Sequence, residues 1–237
     1  MKELICLVLA LCLFAGCCAC GQGEAAAPTT TEATTAAAVR KQFEHVLTQR
    51  IHESLPEFTF ELRGCVWQPE SWPEMEFADI QSVEISDPNS EFYQLFDEFD
   101  IVDDMPFYMH QVMFLFEDYN KDGYLDLRLQ LVHDRNTRYS LFWLWDNAQQ
   151  CFVENEQLRE LSYGCNLFIG DDGNLRGSNT AGGGIGWGHT TYQYKNSEFI
   201  ETEAKSWLVE PDGVYVSTYK LIDGEMVLIS KELEDYQ

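Results

Sequence analysis

The 237-residue chain carries 40 Asp and Glu against 15 Lys and Arg, a formal net charge of −25. That balance argues against a nucleic-acid partner, because phosphate binding draws on clustered Lys and Arg. The length suits one domain with a core of its own and no need of covalent staples.

Residues 1–16 read as a secretory signal, with Lys2 as the positive residue and an apolar run from Leu4 to Phe14. Ala15 and Gly16 directly before Cys17 resemble the lipobox of bacterial lipoproteins. That resemblance implies cleavage there and a lipid on Cys17, anchoring the protein outside the cytoplasm on the bacterial cell membrane. Ordinary secretion or a short uncleaved anchor are the other readings, although the apolar run is short for a bilayer span. Residues 17–38, with their "EAAAPTTTEATTAAA" stretch, have nothing to bury and read as a flexible tether.

A single globular domain is expected over 39–237. Its first part, 39–104, reads as a helix plus an acidic α/β segment. Val39, Phe43, Val46, Leu47, Ile51 and Leu55 recur at helical spacing before Pro56, which predicts an N-terminal amphipathic helix. His45 and His52 on it read as exposed or capping residues. Phe58, Phe60 and Leu62 alternate as a strand, and Ile80, Val83 and Ile85 suggest another. Between them, Trp67 and Trp72 sit in a Pro-containing loop and are expected to plug the core edge, with a carbohydrate platform as the rival reading. Ser90 caps a predicted short second helix running to Phe99, and "DIVDDMP" is an acidic loop. Residues 64–120 hold fourteen Asp and Glu and no Lys or Arg. This is either a solvated acidic face or a field that draws a cationic partner.

The second part, 105–237, is organised around "QVMFLFEDYNKDGYLDLRLQLVHD", residues 111–134. Val112, Phe114 and Phe116 alternate before a polar loop, and Leu125, Leu127, Leu129 and Leu131 alternate after it. Period two predicts two strands, each with one buried face. The loop places Asp118, Asn120, Asp122 and Asp126 around Gly123, a D-x-N-x-D-G-x-x-D spacing. Calcium takes several hard oxygens in a loose shell, and alternate residues of a tight loop can turn theirs to one point. The main-chain carbonyl of Tyr124 falls at the seventh loop position, where EF-hand loops offer a backbone oxygen. The twelfth position is Leu129, not the bidentate Glu of an EF-hand, and the flanks are strands. The expectation is therefore a structural Ca2+ in an EF-hand-like loop on a β-hairpin. A metal-free turn uses the same residue types, and the four side-chain oxygen donors in register favour calcium.

Beyond the loop, "YSLFWLWD" and "CFVENEQL" read as strands joined at Asp146, Asn147 and Ala148. A DDGN turn, a turn at Asn196 and Ser197, and a hairpin at Asp223 and Gly224 follow. Strands at this short, regular spacing indicate an antiparallel meander. "SNTAGGGIGWGHTTY" lacks the register of a nucleotide loop. It is either a recognition loop presenting Ile185, Trp187 and His189 or a wide turn excursion. Cys65, Cys151 and Cys165 leave an odd thiol; Cys151 and Cys165 either pair outside the cell or stay as buried thiols. No nucleophile elbow or zinc-protease motif occurs, so an enzyme is the lesser expectation.

"FEDYNKDGYLDLRL", "YSLFWLWDNAQQCFV", the D-G turn and "YQYKNSEFIE" together resemble a family of bacterial extracytoplasmic calcium-hairpin domains. These are β-propeller-like (FG-GAP-like) and related to periplasmic lysozyme inhibitors and immunity proteins. The resemblance spans about residues 111–229. It implies a mainly-β, meander or propeller-like fold beside the two predicted helices, a calcium loop at Asp118, Asn120, Asp122, Tyr124 and Asp126, and a binding or inhibitor role. It implies a protein partner, in particular a basic cell-wall hydrolase. A surface glycan hydrolase and a solute-binding or adhesive lipoprotein are the alternatives.

Overall fold

In the computed structural model the described residues are 39–99, 107–132, 138–181 and 186–234. The signal segment, Cys17, the tether, the acidic "DIVDDMP" loop and Ile185 lie outside them. The described chain is mainly β, all strand pairs being antiparallel, and none of its sheets closes into a barrel.

Three successive meanders make three sheets. The first holds β1 (Lys41–Arg50), β2 (Glu57–Trp67), β3 (Phe77–Ser86), β4 (Tyr93–Phe96) and the short β5 (Phe107–Tyr108), which pairs with β3. The second runs β6 (Met113–Glu117), β7 (Asp126–Val132), β8 (Arg138–Asp146), β9 (Cys151–Glu154). A short helix α1 (Glu156–Ser162) follows. The third sheet runs in sequence order through β10 (Asn166–Ile169), β11 (Leu175–Ala181), β12 (Gly186–Lys195), β13 (Glu198–Glu210), β14 (Gly213–Ile222) and β15 (Glu225–Glu234).

Two apolar clusters fix the layering. Phe58, Phe60, Val83 and Ile85 of the first sheet pack with Leu129, Leu141, Trp143 and Trp145 of the second. On the opposite face of β8, Phe142 and Leu144 pack with Leu158 of α1 and with Leu167, Leu175 and Tyr192 of the third sheet. The second sheet is therefore a middle layer, covered on both faces. Each fully buried Leu or Phe contributes about 2 kcal/mol of transfer free energy, so this layer carries much of the driving force. It also corrects the expectation of a single buried face for the second hairpin strand, β7. The alternate residues of β7, Asp126 and Arg128, are buried as deeply as its leucines. Arg128 donates from Nε to Ser140 Oγ at 2.9 Å and from Nη1 to the Leu167 carbonyl at 2.6 Å, tying the second sheet to the third.

The predicted N-terminal helix is instead β1. Phe43, Leu47 and Ile51 are four apart, and a spacing of four satisfies period two as well as the helical period. As a strand, β1 turns Phe43 and Leu47 to the core, while Val46, which the helix would have buried, is half exposed. Ten consecutive residue pairs with β2 decide the matter. The predicted second helix is also absent. Ser90 Oγ accepts the Phe92 N–H in a turn, and Tyr93–Phe96 pairs with β3. The α-helix that does form overlaps the end of the expected strand "CFVENEQL". Asn155 breaks "CFVENEQL" by accepting the Leu158 N–H at 2.8 Å as an N-cap. Trp67 packs on Phe77 as expected, but Trp72 is 57% exposed and plugs nothing.

The turns follow the sequence. Asn196 and Ser197, and again Asp223 and Gly224, all take positive φ, as two-residue hairpins of the primed type require. Gly64 is held by a close approach: a Cβ there would lie 2.2 Å from the Asp79 carbonyl. Cys65, Cys151 and Cys165 form no disulfide among the described residues, and Cys65 is buried.

Candidate functional site

The β6–β7 connection brings Asp118, Asn120, Asp122, Tyr124 and Asp126 into one tight loop. Backbone N–H groups of Asp122 and Gly123 donate to the two Asp118 carboxylate oxygens at 3.1 and 3.0 Å. Asp122 Oδ1 accepts the Tyr124 N–H at 2.9 Å, Asn120 Oδ1 accepts the Asp122 N–H, and Asn120 Nδ2 donates to Asp122 Oδ2. Lys121 and Gly123 both take positive φ, the glycine without strain. The chain thus folds around its own acidic side chains. Among the described residues, no three His, Cys, Asp or Glu side chains converge as a metal-holding group.

Asp126 differs from the others. It is fully buried, and its carboxylate accepts the backbone N–H groups of Tyr119 and Trp145, each at 2.9 Å. Burial pushes its carboxyl up to about 8. The two N–H donors oppose that rise, and the nearby charges of Asp122 and Asp118 add to it. No cation of the described residues pairs with it.

The loop is braced on both sides. Lys121 Nζ donates to Asn174 Oδ1 at 2.8 Å, reaching the β10–β11 turn. There Asp172 accepts from Asn174 and Arg176, and these bonds, the backbone N–H of Asn174 first, lower its carboxyl to about 2. On the other side the Tyr124 ring lies 4.4 Å from His52, and the Leu125 N–H bonds to the Ile51 carbonyl. His52 therefore backs the loop rather than capping a helix. Two recesses flank it. One, of about 530 Å³, is lined by Phe116, Glu117, Asp118, Lys121, Leu125 and Asp172 among others. The second, of about 450 Å³, includes Asn120, Asp122, Asp146, Asn147, Glu154 and Tyr194 in its lining.

The Gly-rich stretch is placed differently from the sequence expectation. Trp187 and His189 belong to strand β12, not to a loop. The Trp187 indole stacks on Trp207 of β13 with ring centroids 5.8 Å apart, a partner that sequence reading missed. The sequence did not signal it: counting out from the Asn196–Ser197 turn sets Trp187 opposite Ser206, and only the register shift at Thr191–Tyr192 brings Trp207 opposite Trp187.

No family model matches this chain, and no curated protein matches it. Among solved structures it is similar to one described as a Xanthomonas type IV secretion system related protein. The identity is 17% and the TM-score 0.48, over 79% of this chain and 99% of that one.

Proposed function

We propose that the chain is a lipid-anchored, extracytoplasmic binding module whose β6–β7 loop takes a structural Ca2+. One observation carries the calcium reading. Asp126 is a fully buried carboxylate that forms no ion pair among the described residues, at the foot of a loop holding Asp118 and Asp122. Its two accepted N–H bonds suit the ionised form, while burial and the neighbouring acids oppose it. A divalent cation held by Asp118, Asn120, Asp122, the Tyr124 carbonyl and Asp126 would remove that conflict, and hard oxygens are the donors calcium takes.

The partner we propose is a basic protein, a cell-wall hydrolase being the case the family resemblance suggests. Glu70, Glu74, Glu76, Glu91, Asp97 and Glu98 are all exposed on the first meander, and no Lys or Arg occurs among 64–120 to offset them. A β-propeller-like relation is part of the same reading, supported by consecutive antiparallel meanders that pack face to face. Cys17→Ser tests the anchor: the variant should leave the membrane fraction.

A calcium titration of thermal unfolding is the direct test. A ligand bound only by the folded state stabilises by mass action, about 2.7 kcal/mol at a hundredfold excess over Kd. Melting at one temperature in calcium and in chelator would reduce the loop to a turn.

A further inference from the structure

Strand register sets a grid on one face of the third sheet. Thr180, Trp187, Trp207 and Val216 stand opposite one another across β11 to β14. Ser178, His189, Lys205 and Thr218 form the adjacent row. At about 4.8 Å between strands and about 7 Å between same-face rows, the grid is about 14 Å by 7 Å.

Apart from Val216, which is buried, the chemistry of this patch is not that of the core. The two indoles lie nearly parallel, at 10°, and both are only partly buried. Neither belongs to, or packs against, the two buried apolar clusters. The Lys205 ammonium lies 4.9 Å from the Trp207 ring centre, and the exposed His189 ring meets the same indole edge-on at 5.3 Å. By strand register Ser178, Thr180 and Thr218 share this face.

Charge narrows the guest. In the next row Lys220 pairs with Glu203 at 3.6 Å, and Arg176 pairs with Asp172 at 3.1 Å. Lys205 makes no ion pair among the described residues. A partly buried cation without an ion pair therefore stands on this face of a protein of net charge −25. A dense polyanion such as nucleic acid is repelled by that net charge. A partner with sparse carboxylates is repelled far less, and a local cation can offset that. The apolar face of a sugar ring suits an indole pair, its hydroxyls suit the Ser and Thr rim, and a carboxylate suits Lys205.

We propose that this face binds a carboxylated glycan, with a sugar ring packed on the Trp187–Trp207 pair and its carboxylate held by Lys205 and His189. The proposal extends the binding-module reading and does not depend on the calcium loop, whose melting test succeeds or fails separately.

Intrinsic tryptophan fluorescence and calorimetry of the purified protein test it with three probes: trigalacturonate, tri-N-acetylglucosamine and a polyglutamate peptide. Trigalacturonate should bind saturably and the other two at least about tenfold more weakly. An exposed charge contact contributes up to about 1 kcal/mol, so Lys205→Gln should weaken binding by about fivefold at low salt. Trp207→Ala should weaken it by about tenfold or more, through loss of the aromatic surface. Trp187→Phe, which keeps a ring, should retain folding and lose less. Unaltered melting of Lys205→Gln separates lost contact from lost fold. Absence of saturable trigalacturonate binding overturns the proposal, as does equal binding of the neutral trisaccharide or preference for the acidic peptide.

Discussion

Asp126 Oδ1 accepts the Trp145 backbone N–H at 2.9 Å. Leu127 is opposite Trp143 in the ladder, so Trp145 stands opposite Leu125, just before β7 begins. The buried acid thereby continues the β7–β8 ladder with a side chain, and its second oxygen holds the Tyr119 N–H of the acidic loop. Loop geometry and sheet termination meet in one carboxylate.

Removing that carboxylate should cost far more than removing an exposed one. Asp126→Ala leaves two buried backbone donors unpaired, at about 1–3 kcal/mol each. Asp118→Ala leaves its donors near solvent. Urea unfolding in chelator should rank Asp126→Ala well below Asp118→Ala, with a loss of at least about 2 kcal/mol. Equal midpoints would show that Asp126 does not organise the hairpin.

Asp122 separates repulsion from ligation. In chelator, Asp122→Ala removes a charge near Asp126 as well as the bond to the Tyr124 N–H. The two effects oppose, so its melting temperature should stay within a few degrees of wild type. In calcium the wild type should rise and the variant should not. A full calcium response in Asp122→Ala would refute the assigned ligand set.

Gln94 is a side chain acting as a strand. Its Oε1 accepts the Phe152 N–H at 2.7 Å and its Nε2 donates to the Phe152 carbonyl at 3.1 Å, joining β4 to the open edge of β9. Gln94→Ala should cost about 1–3 kcal/mol and speed hydrogen exchange at the Phe152 amide selectively. Uniform acceleration across β9 would point to general destabilisation instead.

Asp172 should titrate with a midpoint of about 2, read by carboxyl NMR. Its folded pKa is lowered, so its contribution is present above the ordinary carboxylate range and is lost as pH falls through about 2. Asn174→Ala removes the side-chain donor, leaves the backbone one, and should raise the midpoint partway. An unshifted Asp172 in wild type would mean the β10–β11 turn is open in solution.

Turns, the β-rich class and the acidic loop were legible in the sequence because local chemistry sets them. Asn196–Ser197 and Asp223–Gly224 take left-handed backbone whatever lies beyond the hairpin, and Asp118 and Asp122 accept N–H groups within their own loop. The identity of β1 was not legible, because apolar residues four apart satisfy two periods and β2 chooses between them. The depth of Asp126 and Arg128 was also hidden. Alternation with leucine marks a strand, but only the third sheet, closing over the second from residues 30 and more further on, puts the polar face of β7 out of water. The Trp187–Trp207 pair belongs to the same class: each indole is an ordinary strand residue until the register shift at Thr191–Tyr192 sets the two face to face beside Lys205. Covalent neighbours decide backbone turns, whereas burial and charge environment are decided by residues distant in the chain, and only tertiary packing brings those together.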